Sequence, residues 1–79
     1  MKTTYVNCGD CDKNLLGILV QPSEPSIDWT VVAHCPFCGG KSYKKKFSGL
    51  LRIANGERTE IDHDDEIDGI THFYLAARN

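Results

Sequence analysis

Two cysteine pairs of identical spacing, Cys8-Gly9-Asp10-Cys11 and Cys35-Pro36-Phe37-Cys38, hold every cysteine in this 79-residue chain. A two-residue gap lets one tight turn present two sulfurs to a single ion, and two such turns complete a tetrahedral shell with Zn–S bonds of about 2.3 Å. Cys8, Cys11, Cys35 and Cys38 are therefore candidate ligands of one Zn²⁺ per chain. Four thiolates close the shell, whereas catalytic zinc keeps a position open for water or substrate, so the site reads as structural and the chain as non-enzymatic. The arrangement of the zinc deaminases, H-x-E with a later P-C-x-x-C, is missing: proline follows Cys35 rather than preceding it.

The turns must also shield the thiolates. In a metal knuckle the backbone N–H groups after the first cysteine point at its sulfur, and the chain then reverses through residues that tolerate a left-handed conformation. Gly39-Gly40 stands at that reversal in the second turn, and Pro36 pre-sets φ at its start. The first turn continues with Asp12-Lys13-Asn14 instead.

Strands are the elements available to position these turns. Leu16, Ile18 and Val20 alternate on one face of residues 15–20, and Trp29-Thr30-Val31-Val32-Ala33 is β-branched and aromatic. The segment between them contains Pro22 and Pro25 and reads as a loop. An antiparallel hairpin of these two strands is expected to bring Cys8 and Cys11 beside Cys35 and Cys38, with the metal clamping its open end and the proline-rich loop absorbing a long 23-residue spacer between the pairs.

Residues 41–47 read as a further strand, with Lys41, Tyr43, Lys45 and Phe47 on one side and Ser42, Lys44 and Lys46 facing water. Asn55-Gly56, between Leu50-Leu51-Arg52-Ile53-Ala54 and Glu57-Arg58-Thr59-Glu60-Ile61, is expected to form a two-residue hairpin turn. Residues 62–69 are expected to be an acidic loop and residues 70–77 a closing strand, with a short helix as the competing element. The fold class is all-β: one domain over residues 1–79, a metal-binding ribbon over 1–48 and a β extension over 49–79. A domain this small commonly needs a metal or disulfide staple.

The chain resembles the zinc-ribbon class, of the small kind found in prokaryotes and their phages, through C-x-x-C, a β-hairpin, Cys35-Pro36-Phe37-Cys38-Gly39-Gly40-Lys41 and a further strand. The likeness covers about the first half, residues 5–47. It implies a zinc site at the four cysteines and a role among transcription factors, polymerase subunits, ribosomal proteins or similar binding modules. The same arrangement also resembles rubredoxin, which would imply iron and one-electron transfer. Rubredoxin usually has glycine after the second cysteine of both turns, and Asp12 occupies that position in the first, so zinc is favoured over iron.

Charge is distributed in blocks. The formal net charge is −2, yet residues 41–58 hold six lysines and arginines against one carboxylate, and residues 59–79 hold six carboxylates against one arginine. A uniformly cationic nucleic-acid binder is thus disfavoured. The basic block still offers Lys41, Lys44, Lys45, Lys46 and Arg52 as candidate phosphate contacts, with Tyr43 and Phe47 either stacking on bases or packing inward. Phe37, inside the second cysteine turn, is a candidate anchor for a protein partner. The expected role is an accessory factor in transcription or another nucleic-acid process, touching nucleic acid or the polymerase machinery. A protein-interaction adaptor using the acidic segment is the alternative, and a rubredoxin-like carrier the third.

The acidic segment does not encode a calcium loop. Against D-x-[DN]-x-[DN]-G, Asp64, Asp68 and Gly69 fit, but Glu66 takes the third position and Leu75 the twelfth, where a bidentate glutamate is required. His34 is expected beside the metal site as a hydrogen-bonding neighbour or an ordinary strand residue, and His63 and His72 as structural or surface groups. No apolar run long enough to span a bilayer and no signal-peptide core occurs, which points to a cytoplasmic protein without a membrane partner or small-molecule substrate. In that reducing compartment paired cysteines favour metal over disulfides.

Overall fold

A computed structural model describes residues 2–10, 14–38 and 41–78. The described residues form seven strands: β1 (Lys2–Asn7), β2 (Asn14–Gln21), β3 (Asp28–His34), β4 (Ser42–Ser48), β5 (Leu50–Asn55), β6 (Thr59–Ile67) and β7 (Ile70–Ala77). They build a three-stranded sheet in the order β1-β2-β5 and a four-stranded sheet in the order β4-β3-β7-β6. Every pairing is antiparallel except β3 with β7, which is parallel. The fold is all-β, and no helix among the described residues is long and apolar enough to cross a membrane.

Period-two patterning decides which faces meet. Leu16 and Ile18 of the central strand β2 lie opposite Val6 and Thr4 of β1, and Ile18 lies opposite Ile53 of β5. From the other sheet come Val31, Ala33 and Phe73, and the two inner faces join in one buried cluster with Cys8 and Cys35. Each fully buried aliphatic side chain there contributes about 2 kcal/mol of burial free energy. Residues 70–77 are the strand β7, as expected, and its apolar content fits an interior position between β3 and β6.

Three expectations are corrected. β2 and β3 do not pair with each other, since β2 lies between β1 and β5 and β3 between β4 and β7. Cys8 follows β1 of the β1–β2 hairpin and Cys35 and Cys38 lie between β3 and β4, so they sit at the ends of separate hairpins. The proline-containing segment 22–27 instead crosses from one sheet to the other. Pro22 and Pro25 lack the N–H groups a tight paired turn would use, so a crossing suits this segment.

Asn55-Gly56 is likewise a crossing between sheets rather than a hairpin turn, because β5 pairs with β2 while β6 pairs with β7. Gly56 is glycine for want of space: a Cβ there would stand 2.3 Å from the Asn14 carbonyl oxygen, 2.5 Å from that of Leu15 and 2.4 Å from Thr59 Oγ1. Thr59 is fully buried and donates its hydroxyl to the Leu15 carbonyl at 2.7 Å, tying the start of β6 to β2.

The acidic loop expected over 62–69 is a strand for most of its length. Residues 62–67 belong to β6, and the reversal is confined to Asp68-Gly69, where φ is +53° and +77°. Two consecutive positive φ values are the signature of the type I′ turn that matches strand twist. Asp62 is the extra residue of a bulge, since Ile61 pairs with Leu75 and His63 with Tyr74.

Candidate metal centre

The β1–β2 and β3–β4 hairpins come from different sheets, and their cysteine ends converge. The sulfurs of Cys8, Cys35 and Cys38 all lie within 4.8 Å of one another, the only such convergence of three His, Cys, Asp or Glu ligand atoms among the described residues. Cys8 Sγ and Cys38 Sγ are 3.5 Å apart. Two ligands of a tetrahedral thiolate site stand roughly 3.8 Å apart, so the spacing suits a shared ion and is far too long for a disulfide. Cys8 and Cys35 are 1% exposed and Cys38 is half-buried. The donor set, three soft sulfurs in a shielded pocket, fits a thiophilic ion. Cys11, the fourth sequence-derived ligand, lies outside the described residues, as do Gly39 and Gly40.

The surroundings suit thiolates. The Phe37 amide donates to Cys35 Sγ at 3.4 Å, the knuckle contact expected for the second turn. The Tyr43 hydroxyl lies 3.1 Å from Cys8 Sγ, reaching from β4 to the opposite hairpin. That hydrogen bond, followed by burial, holds the Tyr43 phenol above its ordinary pKa, so it stays protonated and able to donate to the sulfur. Lys41 forms an ion pair with Asp10, which links the two cysteine turns across the surface. The hydrogen bond to Asp10 raises the Lys41 pKa.

Sequence reading missed the Tyr43 contact. Strand parity turns Tyr43 inward, but its partner lies 35 residues away on another sheet, which no local pattern encodes. The structure favours inward packing over base stacking for both aromatics of β4, since Tyr43 and Phe47 are partly buried against the core.

The candidate phosphate contacts are dispersed. Lys44, Lys45 and Lys46 are exposed on β4, the outer strand of its sheet, while Lys41 is engaged with Asp10 and Arg52 sits on β5 in the other sheet. Phe37 is 40% exposed at the cysteine end.

The three histidines, separate in sequence, are drawn together across strands. His34 Nε2 and His72 Nδ1 lie 3.0 Å apart. Tyr74 is stacked between His34 and His63, with ring centroids at 4.5 and 4.7 Å. His34 thus bonds to His72, and both burial and that neighbour lower its pKa. The parallel pairing of β3 with β7 creates this cluster, and sequence spacing carries no signal for it.

No family model matches the chain, and no curated protein or solved structure does so.

Proposed function

We propose that this is a non-enzymatic zinc-binding accessory protein, with Cys8, Cys11, Cys35 and Cys38 holding one Zn²⁺ and the β4 lysines engaging nucleic acid in transcription or a related process. The observation that carries the metal part is the meeting of three thiols from two hairpins at one buried point. When bound, the ion supplies a cross-link between the hairpin ends. A four-sulfur shell leaves no position for substrate, which supports a binding role over catalysis. Iron in the same shell is the redox alternative.

The nucleic-acid part draws on the exposed Lys44-Lys45-Lys46 run, whose side chains are unencumbered by carboxylates of their own strand. Purified protein should be colourless and release about one zinc per chain on acidification. A visible chromophore with a reversible redox wave would replace zinc by iron. Single-stranded oligonucleotides should bind at low salt, and Lys44→Glu with Lys46→Glu should weaken that binding and lower the salt slope by about 1.4. Failure to bind at low salt would remove the nucleic-acid role and leave a protein-interaction adaptor, a reading to which the exposed carboxylates of β6 lend support.

A further inference from the structure

The four-stranded sheet ends in two edges of opposite charge. Among the described residues, β4 at one edge carries Lys44, Lys45 and Lys46 and pairs only with β3, and β6 at the other carries Asp64, Asp65 and Glu66 and pairs only with β7. All six side chains are exposed. The Ile61 amide of β6 is taken up by Asn55 Oδ1 at 3.0 Å, which protects the beginning of that edge. Past Ile61, no described strand pairs with the outer side of β6. An open edge offers a row of N–H and C=O groups for strand addition, and charge is a usual means of deciding what can add.

Register matches the two edges in two adjacent rows, while the flanking rows place Lys46 across from Ile67 and Tyr43 across from Asp64. Reading straight across the sheet, Lys44 pairs with Val32, Val32 with His72 and His72 with Asp65. The adjacent row runs Lys45, Val31, Thr71, Glu66. Each of these two rows begins with a lysine on one edge and ends with a carboxylate on the other, and the two project to opposite faces of the sheet. β4 and β6 run in the same direction, because each is antiparallel to one of the parallel pair β3 and β7.

We propose that the β6 edge of one copy takes up the β4 edge of a second copy of this chain, extending the four-stranded sheet head to tail. A second copy displaced along its own rows brings Lys44 to Asp65 and Lys45 to Glu66, so opposite charges meet on both faces. Like edges repel: β4 against β4 opposes lysines, and β6 against β6 opposes carboxylates, so the charges select one joint and suppress the two-fold alternatives. Such a joint uses different surfaces on the two partners and leaves a free edge at each end, so assembly is open-ended rather than a closed dimer. The inference is independent of nucleic-acid binding, although both draw on the β4 lysines.

The test is the mass of nuclease-treated, zinc-loaded protein by sedimentation and light scattering. At about 1 mM protein and about 20 mM salt the average mass should rise to at least about twice that of one chain and keep rising with concentration, then return to one chain at about 0.5 M salt. Lys44→Glu with Lys45→Glu, and separately Asp65→Lys with Glu66→Lys, should each stay single at low salt, and their equimolar mixture should associate again. Circular dichroism and zinc content report whether each variant folds. If one does not, Lys44→Gln and Asp65→Asn should each weaken association severalfold. A wild-type protein that remains single at low salt, a pair of charge reversals that leaves association intact, or a mixture of folded variants that stays single would each overturn the proposal.

Discussion

The two cysteine-ended hairpins and the β6–β7 hairpin are built alike as antiparallel pairs but are held by different means. At the cysteine ends the described contacts come from afar: Cys8 meets Cys38 across 30 positions and Tyr43 across 35. The β6–β7 hairpin closes locally through Asp68-Gly69 and is anchored at its far end by backbone-scale fitting of Gly56 and Thr59 against β2. On the proposed function, one half of the molecule depends on a bound metal ion for its closure, and the other on the shape of its own main chain.

The largest expected effect follows from removing that ligand. Structural zinc contributes on the order of 10 kcal/mol in small domains, comparable to the whole net stability of such a fold. Cys35→Ser, or a strong chelator on the wild type, should therefore abolish cooperative unfolding. A chelated protein that melts as cooperatively as the zinc-loaded one would erase the distinction between the two halves.

The next effect belongs to the second half. Gly56→Ala pushes a Cβ against two carbonyl oxygens and the Thr59 hydroxyl, none of which can retreat without breaking the anchor of β6 on β2. The expected loss is about 3 kcal/mol, read by denaturant unfolding at fixed free zinc, with zinc stoichiometry unchanged. Loss of zinc in this variant would mean that the halves are mechanically one.

What the sequence makes legible follows the same division. The cysteine cluster and the strand content can be read directly, because C-x-x-C spacing and period-two patterning are local signals. The sheet pairing cannot, because it depends on which of several compatible strands become neighbours. Asn55-Gly56 and Asp68-Gly69 carry nearly the same turn chemistry, yet only the second turns a hairpin. Flanking runs that both look strand-like do not specify whether they pair with each other, and Leu51 and Ile53 find better cover beside Val20 and Ile18 of β2. The acidic run misleads for a related reason. Carboxylates disfavour an interior strand but suit an edge, and edge positions are defined only once the sheet exists.

The smallest effect is expected at the second of those turns. A Cβ added to Gly69 would meet nothing within 4 Å, so Gly69→Ala introduces no clash and costs only the conformational penalty of a side chain at φ +77°. That penalty is about 1 kcal/mol, a third of the loss expected for Gly56→Ala. Asp68, at φ +53°, already bears a side chain in this region, and Asp tolerates it better than most residues. Asp68→Gly should accordingly raise stability by a few tenths of a kcal/mol or leave it unchanged. The contrast between the two glycines separates crowding from backbone conformation as reasons for the same residue type. Equal losses at Gly56 and Gly69 would mean that conformation governs both sites and that the close approach of Gly56 to β2 contributes little.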